Sequence, residues 1–156
     1  MRSHTPALLV GTAAMLVLTA CSGGANTTAT MSPPAADASF PQSGNYIADM
    51  PAAGGETMTL GIAVDGDRVA AYACNGVDDE AWFFGDQAEG RIDITGKFRD
   101  TLSASVDGTD VVGDLTMNGV AYRFTAAPVS APAGMYTGEV RGVRATWVVR
   151  PGDSAT

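Results

Sequence analysis

Histidine is almost missing from this sequence: the single one, His4, falls within the first ten residues, so the body of the chain offers no imidazole. That excludes a catalytic step needing an imidazole base, and a zinc site of Cys and His ligands. Basic charge is scarce as well. Nine Lys and Arg stand against seventeen Asp and Glu, and phosphate binding needs clustered cations, so nucleic acid and anionic headgroups are disfavoured as partners. No stretch of ten or more residues carries apolar positions spaced by three and four, which excludes a long amphipathic helix. The patterns G-x-S-x-G, S-x-x-K and the P-loop are absent too, and no cofactor is implied.

The chain begins with the layout of a secretory leader. Arg2 supplies positive charge, and Ala7 to Ala20 form an apolar run broken only by Gly11, Thr12 and Thr19, short of the ~20 residues that span a bilayer. The run ends in Leu18-Thr19-Ala20-Cys21, which resembles the lipobox of bacterial lipoproteins. In that family the cysteine thiol is joined to diacylglycerol, the leader is cut just before it, and the new amino group takes a fatty acyl chain such as palmitate. The resemblance implies a signal peptide over residues 1–20, a lipidated Cys21, and a cell-membrane location on the extracytoplasmic face. Two or three acyl chains hold a protein durably where one holds it only reversibly.

Cleavage there removes 20 of the 156 residues and leaves 136, with eight Lys and Arg, seventeen Asp and Glu, and a formal charge of −9. Lys97 is the one lysine, and with abundant Ala, Gly, Val and Asp this bias points to a GC-rich bacterium. With Cys21 lipidated, Cys74 has no partner for an internal disulfide. Its place in Ala70-Ala71-Tyr72-Ala73-Cys74 suggests a small buried hydrophobe, with an exposed thiol for redox chemistry or cross-chain pairing as the alternative.

Residues 21–44 are rich in Ala, Ser, Thr, Pro and Gly without apolar period, and are expected to form a disordered tether with a reach of ~25 Å. Thr27, Thr28, Thr30 and Ser32 are candidate glycan acceptors within it. Residues 45–150 have the size of one small domain, and residues 151–156 are expected to be a loose tail. In the domain, short runs of β-formers recur, each closed by a turn. The runs are Met58 to Val64, Val69 to Cys74, Ala81 to Gly85, Arg91 to Phe98, Leu102 to Val106, Val111 to Met117, Val120 to Thr125, Met135 to Val140 and Arg144 to Val149. In Arg91 to Phe98 the alternation points Ile92, Ile94 and Phe98 inward. Asn118-Gly119 is the strongest hairpin signal.

Eight or nine short strands joined in sequence order predict an all-β antiparallel meander, a closed or nearly closed barrel, with a two-layer sandwich as the alternative. Thr59-Leu60 with Val64-Asp65-Gly66 is echoed 42 residues later by Thr101-Leu102 with Val106-Asp107-Gly108. Asn75-Gly76-Val77 is echoed, with one insertion, 43 residues later by Asn118-Gly119-Val120. Duplication would explain both, and so would ordinary turn chemistry. The segments A-Y-A-C-N-G, E-A-W-F-F-G and E-G-R-I-D-I-T-G resemble a poorly characterised β-rich domain of secreted and lipid-anchored actinobacterial proteins, mycobacterial ones included. The likeness covers roughly residues 57–127 and carries no activity with it.

Tyr72, Trp82 and Phe84 are candidate ligand-stacking residues, with a core role as the alternative for such aromatics. Asp78, Asp79 and Glu80, with Asp65 and Asp67, offer oxygens, yet lack the spacing and glycine of a Ca²⁺ loop, so no metal site is expected. Asp93 and Asp114 are a carboxylate pair of the kind a hydrolase uses, without a motif to single them out. The expectation is therefore a non-enzymatic, membrane-tethered module that binds an envelope protein or glycan, or serves as an accessory subunit. The alternative is a carrier enclosing an apolar ligand among Leu60, Ile62, Ile94, Leu115 and Phe124, and more distantly a carboxylate-dependent hydrolase.

Overall fold

A computed structural model describes residues 39–52 and 55–153. The leader, Cys21, the threonine-rich part of the tether and the last three residues lie outside the described residues. Ten strands follow one another: β1 (Ser43–Pro51), β2 (Thr57–Asp65), β3 (Arg68–Cys74), β4 (Glu80–Ala88), β5 (Arg91–Thr95), β6 (Thr101–Asp107), β7 (Asp110–Met117), β8 (Val120–Val129), β9 (Gly134–Val140) and β10 (Val143–Val149). The first eight form a closed antiparallel meander, and β9 and β10 form a separate two-stranded sheet. Among the described residues no helix is long and apolar enough to cross a membrane.

The tight turns carry the residues their backbones require. Asn118-Gly119 joins Met117 to Val120 with both residues at positive φ, the conformation whose twist matches paired strands. Glu89-Gly90 and Arg141-Gly142 do the same, whereas Gly66 and Gly108 take positive φ at the first of two turn positions. The barrel thus has two ends. One carries the β2–β3, β4–β5 and β6–β7 turns, and the chain enters there, with the Gly66 amide donating to the Gln42 carbonyl. The other carries the β1–β2, β3–β4, β5–β6 and β7–β8 connections.

Alternation decides what fills the interior. Met58, Leu60, Ile62 and Val64 from β2, Ile92 and Ile94 from β5, Leu115 and Met117 from β7, and Tyr122 and Phe124 from β8 join one continuous buried cluster. Burial of each large apolar side chain contributes ~1.5 to 3 kcal/mol. Phe40, within the stretch read as tether, is also buried there and meets Tyr46 edge to face. β1 is the strand the sequence did not announce, and it closes the barrel: Asn45, Tyr46 and Ile47 pair with Val129, Pro128 and Ala127 of β8.

The β9–β10 hairpin covers part of the outer wall. A Cβ on Gly61 of β2 would lie 3.0 Å from Cγ2 of Val148 and 3.2 Å from Cβ of Met135, so only glycine lets the hairpin lie this close. Ile47 and Tyr72, which pair with Gly61 from either side, point outward yet are buried. Arg150 fastens the end of the hairpin, its Nε donating to Asp49 Oδ1 and Oδ2 at 3.1 and 3.0 Å and its Nη2 to Thr59 Oγ1. On the other face of the hairpin Tyr136 and Trp147 stack in the open, 6.3 Å apart.

Two expectations about side-chain placement are corrected. Phe98 does not point inward: β5 ends at Thr95, and the Gly96 amide donates to the Asp100 carbonyl to form a turn that carries Phe98 into solvent, 75% exposed. Cys74 belongs to the outward row of β3, because Ala73 takes the interior position, and it is half-buried.

Candidate binding cleft

Two clefts adjoin on the barrel wall, sharing Glu80. The first, about 410 Å³, lies between the outer face of β4 and the β5–β6 turn, with Trp82 and Phe84 on one side and Lys97 and Phe98 on the other. Its shape follows from the seam between β4 and β5. Those strands pair only through Gln87–Ile92 and Ala88–Arg91, and beyond that point Gly96 brings the end of β5 against β4. A Cβ at Gly96 would lie 3.0 Å from the Trp82 carbonyl oxygen, so any other residue would push the turn away and widen the seam.

Trp82 and Phe84 alternate with interior Ala81 and Phe83, which places both rings outside. Their rings are nearly parallel, 17° apart with centroids 5.9 Å from each other. Phe84 is 65% exposed. Tyr72, cross-strand from Trp82, packs its ring 4.5 Å from the indole and is only 6% exposed, so it backs the cleft instead of lining it. Its hydroxyl donates to Glu80 Oε2 at 2.9 Å. Burial, then this bond to a carboxylate, push the phenol well above the ordinary tyrosine range. On the far side, the Lys97 ammonium stands 5.5 Å from the Phe98 ring centroid, a cation–π arrangement.

The second cleft, about 350 Å³, is bounded by Tyr72, Cys74 and the acidic β3–β4 loop. The acidic residues there are loop staples. Asn75 Oδ1 accepts from the amides of Val77, Asp78 and Asp79 at 3.0 to 3.1 Å, and its Nδ2 donates to Glu56 and Asp78. Asn118 continues the chain of bonds, donating from its side chain to Asp79 at 2.7 Å and from its backbone to Asp100 at 3.1 Å. All four connections at this end are thereby joined. Among the described residues no group of three or more His, Cys, Asp or Glu side chains could hold a metal ion.

Asp93 and Asp114 fall in one cross-strand row, Asp93–Ser103–Asp114–Arg123 over β5 to β8. Ser103 donates to Asp93 at 2.6 Å, and Arg123 meets Asp114 at 3.5 Å. The row lines a further, polar cleft of about 510 Å³. Within it Ser103 of β6 stands between the two carboxylates, one strand away from each. Leu60, Ile62, Ile94, Leu115 and Phe124 belong to the interior cluster. Of these five only Phe124 borders any of the three clefts.

The architecture is thus a small up-and-down barrel with a packed interior, a hairpin on its wall and an aromatic cleft at the β4–β5 seam. Compared with known proteins, the chain matches no family model, no curated protein and no solved structure.

Proposed function

We propose that this chain is a lipid-anchored protein of a bacterial cell envelope whose barrel is a non-enzymatic binding module, with the cleft between Trp82–Phe84 and Phe98 as its contact surface. One observation carries the reading: in a barrel whose other large aromatics are mostly buried, Phe84 and Phe98 leave 65% and 75% of their surface in solvent on facing sides of a single cleft. Exposed apolar surface that is gathered, not scattered, marks a contact site. The side of the reading that concerns anchoring rests on the lipobox resemblance at Cys21. Within the barrel, the chain enters at the end opposite the β5–β6 turn.

Photo-crosslinking in intact cells tests this. A benzophenone side chain at position 98 is expected to capture an envelope component, and one at position 109, in the β6–β7 turn at the opposite end, is not. Cys21→Ala is expected to release the protein from the membrane fraction. Equal capture from both positions would contradict the cleft, and unchanged membrane retention would contradict the anchor.

A further inference from the structure

We infer that the cleft docks an extended basic segment of a partner protein, with an arginine or lysine side chain entering between the aromatic walls and its charged head meeting Glu80. The inference rests on the reading of the cleft as a contact surface and adds the chemistry of what fills it. Trp82, Phe84 and Phe98 supply aromatic faces, which attract a cation electrostatically and its alkyl stem by apolar contact. Phe98 already carries the Lys97 ammonium, 5.5 Å from its ring centroid, so an entering cation is directed to the Trp82 and Phe84 side of the cleft, next to Glu80.

Charge selects among apolar ligands. Glu56, Asp78, Asp79, Glu80 and Asp100 gather at this end of the barrel, and each carboxylate is held by a neutral donor: Asn75, Asn118 or Tyr72. The ion pairs among the described residues use other carboxylates, Asp114 and Asp49. Against those five stand Lys97 and Arg99 in the adjoining turn, so negative charge around the aromatic walls is left uncompensated. Tyr72 occupies Oε2 of Glu80, and the rest of this exposed carboxylate faces solvent beside Trp82. A guanidinium stacked on an aromatic ring while bonding a carboxylate is a recurrent core of protein interfaces, where Trp, Tyr and Arg dominate the binding energy. A neutral sugar chain would use the rings without using the charge, and an acidic partner would be repelled.

The test measures binding to the full chain in detergent micelles by fluorescence anisotropy. The probes are a fluorescein-labelled hexapeptide of alternating glycine and arginine, its glycine–glutamate counterpart, and, by calorimetry, a β-1,4-linked N-acetylglucosamine hexamer. The arginine peptide is expected to bind. Removing both exposed rings with Phe84→Ser and Phe98→Ser, which alters no charge and no core residue, should abolish measurable binding. Glu80→Gln should weaken it about fivefold, the scale of one solvent-accessible charged contact. Asp107→Asn, at the other end, should leave it unchanged. The glutamate peptide should not bind.

Arginine-peptide binding that survives loss of both rings would show a diffuse attraction to an acidic surface and overturn the inference. Binding of the sugar in place of the peptide, lost with the rings, would overturn the basic occupant and leave the cleft standing as a contact surface. Failure of every probe, together with photo-capture that does not depend on position 98, would remove both.

Discussion

Asn75 shows how much structure one side chain can hold. Its carbonyl oxygen accepts three successive backbone amides while its amide group reaches Glu56 and Asp78. Asn75→Ala strands those amides, and since the loop is partly open to water the cost falls near 1 to 2 kcal/mol. Urea unfolding should record it as a lower midpoint at unchanged slope. Tyr72 makes a different prediction. Its phenol is raised by burial and by the bond to Glu80, so it stays protonated in the fold after an unfolded tyrosine, at ~10, has ionised. The resulting stabilisation is complete below pH ~10 and is lost as pH climbs toward the folded value. Tyr72→Phe should flatten the alkaline fall in stability, read from melting temperatures above pH 10. Tyr46 is also raised by burial and should leave part of that fall in place.

The β9–β10 hairpin is held by contact with β2 and by the Arg150 clamp. Gly61→Val would force Met135 and Val148 aside, because the space for a first carbon is already filled, and such overpacking costs about 1 to 3 kcal/mol. Arg150→Ala should be milder, ~0.5 to 1 kcal/mol, because the Arg150 and Asp49 side chains are both about two-fifths exposed. Limited proteolysis should report both changes as faster cutting between Glu139 and Arg144, with the barrel retained.

Much of the element pattern could be read from residues. Asn118-Gly119 marked its hairpin correctly, and the alternation in β5 assigned Ile92 and Ile94 to the interior. β1 escaped notice for a physical reason: Ile47 is apolar on the outer side as well as Tyr46, Ala48 and Met50 on the inner, because the hairpin buries part of the wall, and this blurs a period of two. Periodicity likewise identified β9 and β10 as strands without saying that they lie outside the barrel. Trp82 and Phe84 were legible as site candidates, while Phe98 was not. The turn at Gly96 breaks the register that Ile92 and Ile94 set, and nothing local in Thr95-Gly96-Lys97-Phe98 announces it except the glycine.

At the scale of the whole molecule, the eight barrel strands divide at the two short seams, β4–β5 and β8–β1, into two four-stranded meanders. The sequence echoes fall on equivalent places in each. Thr59 to Gly66 and Thr101 to Gly108 cover the second strand and its turn, and Asn75-Gly76 and Asn118-Gly119 open the connections between the third and fourth strands. The two asparagines then meet around Asp79, so the halves are stitched at the end that bears the cleft. That end is stiffened by polar bonds, while Phe84 and Phe98 beside it stay exposed.

The central claim is that recognition takes place on this wall and not in the barrel interior or on the hairpin. Hydrogen exchange of the full-length protein, followed by mass spectrometry in native membranes and again in detergent micelles, tests it directly. Slower exchange in membranes is predicted for peptides spanning residues 80–86 and 95–100, with residues 134–149 unchanged. Protection confined to the hairpin, with the β4 wall and the β5–β6 turn exchanging alike in both settings, would contradict it.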